Sequence, residues 1–115
     1  MEDLIALLLQ AFAFGARAHW KTTSYAEHVA LGDFYEALPG FADSLVETYQ
    51  GCDGKLLDIP QLDLPDGEPL KVLRTQLTKI RTYREQFDDE PEFQNKVDEI
   101  VSHFETALYK LRFLD

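Results

Sequence analysis

The chain has 115 residues, 45% of them hydrophobic and 12% aromatic, which is enough for one compact domain with its own core and too few for two. Its 21 acidic and 11 basic residues give a net charge of -10, the basic residues look scattered, and neither terminus carries a Lys-rich arm. This composition argues against DNA as a partner. The single cysteine, Cys52, excludes an internal disulfide and a cysteine-based metal cluster.

The N-terminal segment from Leu4 to Phe14 is apolar but follows an acidic start, "MED", with no basic residue before it. This pattern does not fit a secretory signal, and the segment is too short to span a bilayer. We therefore expect a soluble, cytoplasmic protein with no membrane partner.

Apolar residues recur at the helical period in four segments, and no alternating strand pattern competes with them. The first segment, residues 2–19, is apolar on almost every side, so we expect a second chain to cover one of its faces. The second segment begins at Tyr25, because Ser24 and Glu27 form an S-x-x-E capping box, and it ends at "GCDG". Pro39-Gly40 lies in its middle, but the apolar positions keep their phase across the pair, which favours one kinked helix over two.

Residues 51–67 contain two prolines and three glycines and are predicted to form a crossover loop. A third helix is predicted to begin near Pro69 and a fourth near Pro91, since proline is favoured in the first helical turn. Two helical hairpins joined by one long connection predict an all-α, ferritin-like four-helix bundle. We expect it to form a single domain over residues 1–115.

The second helix carries side chains that can bind metal along a flank of its apolar row. His28, Glu36, Asp43 and Glu47 share this flank at about 100° per residue. Imidazole combined with carboxylate suits first-row transition metals such as iron, manganese or zinc. Asp43 and Glu47 lie one turn apart and can reach the same ion, but His28 is about 22 Å from Asp43 along a straight helix.

A site that combines these residues therefore needs two chains. If two copies of the second helix pack antiparallel about a two-fold axis, His28 of one copy faces Asp43 and Glu47 of the other. The axis then passes between Glu36 and Pro39, where Pro39-Gly40 has little bulk. We expect a homodimer as the smallest functional unit of a homo-oligomer, with two equivalent sites for metal ions.

The pair His19-Trp20, followed by His28 and by "DSLVE" from Asp43 to Glu47, resembles the Dps family, the miniferritins that oxidise iron. The steps of 15 and 19 residues from His28 to Asp43 and Glu47 match the pattern of that family. The resemblance covers about the first half of the chain. It implies a ferritin-like fold, with His19 and His28 of one subunit and Asp43 and Glu47 of its two-fold mate as iron ligands.

One position departs from the Dps pattern. The aspartate that the family has one turn after the histidine is Gly32 here, and Glu36 is a further candidate ligand in its place. Ferroxidase and iron-storage activity are what the resemblance implies, and whether they survive this change is open from the sequence.

Two functions are compatible with the sequence. One is a Dps-like metal-binding protein that takes iron or another divalent transition metal as its cofactor, with or without ferroxidase activity. The alternative is a non-enzymatic helical interaction protein that keeps the ferritin-like fold without metal chemistry, which Gly32 favours.

Under either function, Trp20 is expected to anchor the core or an interface. His103 has no acidic partner at metal-binding spacing and is expected to be structural.

Overall fold

The computed structural model describes all residues from Met1 to Asp115, and the chain contains helices but no strand. The helices are α1 (Glu2–Lys21), α2 (Tyr25–Asp53), α3 (Pro69–Arg84) and α4 (Pro91–Phe113), with a single 3-10 turn, Glu85–Phe87, after α3. The predicted all-α class and its four helices are confirmed. None of the four helices combines the length and the apolar character needed to cross a membrane.

Local signals in the sequence begin and end these helices. Ser24 caps α2, since its Oγ accepts a hydrogen bond from the N–H of Glu27 at 3.2 Å. Pro69 and Pro91 occupy the first turns of α3 and α4, where no N–H is needed. Gly54 ends α2 with a φ of 75°, a left-handed conformation that glycine adopts readily. Helix α2 therefore includes residues 51–53, and the crossover is shorter than predicted, covering residues 54–68.

Helix α2 continues without a break across Pro39, as the phase of its apolar positions predicted. Proline has no N–H to donate to the carbonyl of Tyr35 one turn earlier. At the adjacent residue, Nε2 of His103 on α4 bonds to the carbonyl oxygen of Phe34 at 2.7 Å. The side chain of His103 thus links α4 to α2 close to Pro39.

Each helix packs against two others around one core. Helices α1 and α4 both contact α2 and α3, whereas α1 does not approach α4 and α2 does not approach α3. The crossover follows α1 from its start: the N–H of Asp58 donates to the carboxylate of Glu2, and the side-chain amide of Gln10 donates to the carbonyl of Asp63 at 2.8 Å. Because both hairpins are antiparallel, this long return makes α2 and α3 run in the same direction.

The core takes apolar side chains from all four helices. Its largest fully buried side chains are Phe34, Phe93, Phe104, Leu4, Ile5, Leu7, Leu8, Leu31, Leu38, Leu45, Leu73 and Ile80. Burial of one such side chain contributes about 1.5–3 kcal/mol relative to leaving it in water. The apolar rows that the sequence predicted are therefore what holds the helices together.

The expectation that a second chain must cover α1 is wrong. Every residue from Leu4 to Leu8 is at most 2% exposed within the single chain. Helices α2 and α3 both cover α1, and Leu57 and Ile59 of the crossover, which flank the Asp58 that bonds to Glu2, also pack against the core. Leu9, which is 51% exposed, and Trp20 near the end of the helix, which is 75% exposed, keep large apolar surfaces on the outer side of α1.

Candidate metal-ligating residues at the first helical corner

The two histidines predicted as ligands meet where α1 turns back into α2. Helix α1 ends at Lys21 and α2 begins at Tyr25, so His19 and His28 lie opposite each other across this corner. Their rings stack with centroids 3.7 Å apart and planes inclined by 16°. Nδ1 of His19 bonds to the carbonyl oxygen of His28 at 2.5 Å, and Nδ1 of His28 bonds to the carbonyl oxygen of His19 at 2.8 Å. We call this reciprocal arrangement the histidine clasp.

The clasp determines which nitrogen of each ring is free. A carbonyl oxygen can only accept a hydrogen bond, so both Nδ1 atoms must carry the hydrogen. In a neutral imidazole the lone pair then lies on Nε2. Metal-binding histidines commonly have this second bond, in which one ring N–H donates to a carbonyl or carboxylate while the other nitrogen binds the ion. The clasp therefore leaves two half-buried rings, each with an Nε2 able to bind a metal.

The packing of His19 accounts for the glycine at position 32. A Cβ atom at Gly32 would lie 3.0 Å from Cε1 and 3.3 Å from Nδ1 of His19. The ring of His19 thus fills the space into which a side chain at this position would project. An aspartate here, as the Dps pattern has it, fits only if His19 moves.

The carboxylates of α2 lie on its outer surface. Glu36, Asp43 and Glu47 are exposed, and none of them takes part in the three ion pairs of the chain. Asp33, by contrast, points towards α4, where its carboxylate pairs with Lys110 at 3.3 Å. The carboxylates of Glu36, Asp43 and Glu47 therefore have no partner in the chain and can bind a cation or contact a second chain.

Within one chain, the structure brings the two histidines together but does not bring the carboxylates to them. No group of three or more His, Cys, Asp or Glu side chains converges on a common point. The cause is the helix itself, which runs unbroken from Tyr25 to Asp53 and separates His28 from Asp43 by about 22 Å. A site of the predicted composition therefore requires side chains from two chains.

Comparison with known families places most of the chain in one family. Residues 19–111 match the family described as "Family of unknown function (DUF5856)". The chain belongs to the DUF5856 family. The matched range begins at His19, so it includes both histidines of the clasp, Gly32 and the exposed carboxylates of α2.

A protein of Enterobacteria phage T4 is similar to this DUF5856 chain over nearly its whole length. It is described as "Uncharacterized 14.6 kDa protein in mobD-ri intergenic region" and is 28% identical over 112 residues, which cover 96% of the chain and 86% of the phage protein. No solved structure matches the chain. Neither description names a ligand or a reaction.

Two aromatic side chains lie at the surface near the clasp of this DUF5856 protein. Trp20 is 75% exposed and Tyr25 is 82% exposed. Val29, one turn after Tyr25 on α2, is exposed as well. This exposure excludes a core role for Trp20, while its role as an interface anchor stays a prediction.

Tyr35 is a neighbour of the candidate ligands that was not predicted from the sequence. Its ring meets the ring of His19 edge-on, with centroids 5.4 Å apart, and that of Phe12 at 5.7 Å. A signal was present, because Tyr35 follows His28 by two helical turns and so shares its face of α2.

Proposed function

We propose that this DUF5856 protein is a ferritin-like metal-binding protein that binds iron or a similar divalent transition-metal ion at sites shared by two copies of the chain. The observation that carries the proposal is the histidine clasp. It stacks the rings of His19 and His28, and in a neutral ring it places the lone pair on Nε2, which has no hydrogen-bond partner in the chain. A histidine whose Nδ1–H is held by a carbonyl oxygen commonly binds a metal through Nε2, so each of the two rings is a candidate ligand.

The path of the chain supports the ferritin-like part of the proposal. Ferritin-like folds are four-helix bundles in which one long crossover joins two hairpins. Residues 54–68 form such a crossover here, and they return along α1 so that α2 and α3 run in parallel. The Dps resemblance of the first two helices points to the same fold.

In the proposed site, each chain contributes a different half. Nε2 of His19 and Nε2 of His28 would each bind a metal ion from one copy, while Asp43 and Glu47 would bind from the second copy. Glu36 is a further candidate ligand, because it lies on the same flank of α2 between the two halves. This donor set of imidazole nitrogen and carboxylate oxygen fits iron, manganese or zinc.

The chain's own residues prepare the site for a cation. Because the clasp holds each imidazole by one nitrogen, less ordering of these side chains is required when an ion binds. The unpaired carboxylates of α2 and the net charge of -10 attract cations from solution. When bound, iron would supply one-electron redox chemistry, and ferroxidase activity is what the Dps resemblance implies for such a site.

The test is a titration of the metal-free protein with ferrous iron under anaerobic conditions, with the mass of the particle followed by light scattering. We expect saturable uptake of about one or two ions per chain in an oligomer, since a two-fold dimer has two equivalent sites. The double variant Asp43→Ala/Glu47→Ala should lose this uptake. The matched control is Glu85→Ala/Glu99→Ala, which removes two exposed, unpaired carboxylates from other parts of the chain.

Absence of saturable uptake by the unaltered protein contradicts the proposal, and so does equal uptake by the two double variants. Circular dichroism of each variant checks that the helices are intact. Admission of oxygen to the loaded protein then measures whether bound ferrous iron is oxidised when position 32 carries no carboxylate.

A second candidate function is supported by the surface around the clasp. The ring of His19 fills the space at Gly32, and Trp20 and Tyr25 expose most of their aromatic surface. These features also suit a helical interaction protein that keeps the fold without binding metal. A protein that forms stable dimers but takes up no ferrous, manganous or zinc ion would favour this alternative.

A further inference from the structure

Charge is distributed unevenly between the helices of this protein. Helix α3 carries five of the 11 basic residues of the chain and no acidic residue, so the expectation that the basic residues are scattered is wrong. Helix α2, on the opposite corner of the bundle, carries six acidic residues and neither Lys nor Arg. An acidic protein thus has a basic side formed by α3, although its Arg81 and Arg84 pair with Glu105 and Asp98 of α4.

A cleft of about 490 Å³ lies on this basic side, between α3 and α4. Arg74, Arg81 and Arg112 line it, and Glu105 is the one carboxylate among the lining residues. Glu105 pairs with Arg81 at 2.8 Å. Arg74 and Arg112 have no ion-pair partner, so three guanidinium groups and one carboxylate leave the cleft with two unmatched positive charges.

The helix dipole does not account for both of the unmatched arginines. Arg112 lies in the last turn of α4, where a positive charge is favoured by the dipole. Arg74 lies in the first half of α3, where the dipole gives a cation no such stabilisation. Helices α3 and α4 therefore each place an unpaired guanidinium group in the same cleft. The one carboxylate that lines this cleft, that of Glu105, already pairs with Arg81.

Exposed aromatic rings form another part of the cleft. Tyr109 and Phe113 both line it, both are more than half exposed, and their ring centroids are 5.9 Å apart. The guanidinium carbon of Arg112 lies 5.0 Å from the centroid of the Phe113 ring. Leu77 and Leu108 add apolar surface. A planar aromatic group could stack on such rings while an attached anion meets the arginines.

We infer that this arginine cleft binds a nucleotide, that is, a phosphate or diphosphate joined to a planar aromatic base. Guanidinium groups bind phosphate oxygens through paired hydrogen bonds, and aromatic side chains stack on bases of any sequence. The cleft volume lies within the range of about 300–1,000 Å³ typical of small-molecule sites. The site is separate from the proposed metal site, which uses α1 and α2.

The test is isothermal titration calorimetry of the full chain with ADP, with pyrophosphate and with a short oligothymidylate, at low and at physiological salt. ADP should bind saturably at one site per chain, more weakly as salt is raised. Arg74→Gln/Arg112→Gln should weaken ADP binding by at least about ten-fold, which corresponds to about 1.4 kcal/mol. Arg17→Gln is the matched control, since Arg17 is exposed and unpaired on α1, and it should change the affinity less than two-fold, about 0.4 kcal/mol.

Phe113→Ala separates the two parts of the ligand. It should weaken binding of ADP several-fold and binding of pyrophosphate clearly less, because only ADP has a base to stack, whereas both ligands meet Arg112, which loses its contact with the ring. Oligothymidylate is the second ligand to compare. If it binds more tightly than ADP, and if Arg74→Gln/Arg112→Gln and Phe113→Ala weaken its binding as they weaken that of ADP, the nucleotide bound by the cleft belongs to single-stranded nucleic acid. The inference is overturned if ADP does not bind saturably at low salt, if Arg17→Gln weakens it as much as the double variant, or if Phe113→Ala has no effect.

Discussion

Each imidazole of the His19–His28 pair bonds through Nδ1 to the main-chain carbonyl of the other residue, while the two rings stack at 3.7 Å. The bonds cross in opposite directions between the end of α1 and the beginning of α2. The clasp therefore links the two helices at the corner of the first hairpin and, by the same bonds, directs Nε2 rather than Nδ1 of each ring towards a possible ligand. Structure and the proposed metal chemistry depend on one pair of contacts.

Removal of either histidine should destabilise the fold. His19→Ala and His28→Ala each remove one hydrogen bond and the ring stack, so each should lower the free energy of unfolding by about 1–2 kcal/mol. The double variant should lose less than the sum, because both single variants already remove the shared stack. Urea denaturation of the four proteins measures the coupling. Strictly additive losses would show that the two rings act independently.

Alanine at position 32 should behave differently from alanine at position 40, although both glycines lie inside α2. A Cβ at Gly40 meets no atom within 4 Å, so Gly40→Ala should raise stability by about 0.5–1 kcal/mol through helix propensity. A Cβ at Gly32 would lie 3.0 Å from Cε1 of His19, so Gly32→Ala should give no gain or a loss. Thermal and urea unfolding of both variants provide the comparison.

The same substitution in a chain that lacks the His19 ring checks this cause. In the His19→Ala background, Gly32→Ala should become stabilising, by an amount close to that of Gly40→Ala. If Gly32→Ala is as stabilising as Gly40→Ala in the unaltered chain, the contact with His19 does not explain the glycine.

Trp20 should matter for association more than for folding. Because it is 75% exposed, Trp20→Ala should change the free energy of unfolding of the single chain by no more than about 0.5 kcal/mol. As an interface anchor, it should weaken dimer formation clearly, since buried tryptophans often dominate interface energies. Sedimentation over a range of concentrations measures the association. Leu56→Ala, which removes an exposed leucine from the crossover, serves as the control.

Asp98 should contribute a small, pH-dependent part of the stability. Two hydrogen bonds from Arg84, at 2.6 and 3.1 Å, lower the pKa of Asp98 and raise the pKa of Arg84. A carboxyl group whose pKa is lowered in the folded chain stabilises the fold at pH values above its ordinary pKa of 3.8. This stabilisation is lost as the pH falls through the lowered pKa. Asp98→Asn should therefore be less stable than the unaltered chain at neutral pH and equal to it in strong acid.

The expected difference for Asp98→Asn is small because both partners are partly exposed and water screens the pair. Urea denaturation at neutral pH and near pH 2, with and without added salt, measures it. Glu99→Gln, at the adjacent exposed and unpaired position, is the control. A deficit of Asp98→Asn that stays the same in acid would mean that the ion pair is not its cause.

The beginnings and ends of the helices could be predicted from the sequence because they depend on neighbouring residues. Ser24 and Glu27 lie three residues apart, and proline at positions 69 and 91 acts within its own turn. The candidate ligands on α2 could also be identified from the helical period. Their division into two halves followed from the rise per residue, which is the same in every α-helix.

Sequence alone thus determined the helices, their apolar faces and the positions of the candidate ligands. Tertiary structure decided what covers α1, why position 32 is glycine, and where the arginines of α3 and α4 meet. The reason is that each of these depends on which distant segments come into contact: the crossover reaches α1, His19 crosses to α2, and Arg74 and Arg112 share a cleft. Periodicity describes the faces of one helix, whereas packing in three dimensions determines what each face touches.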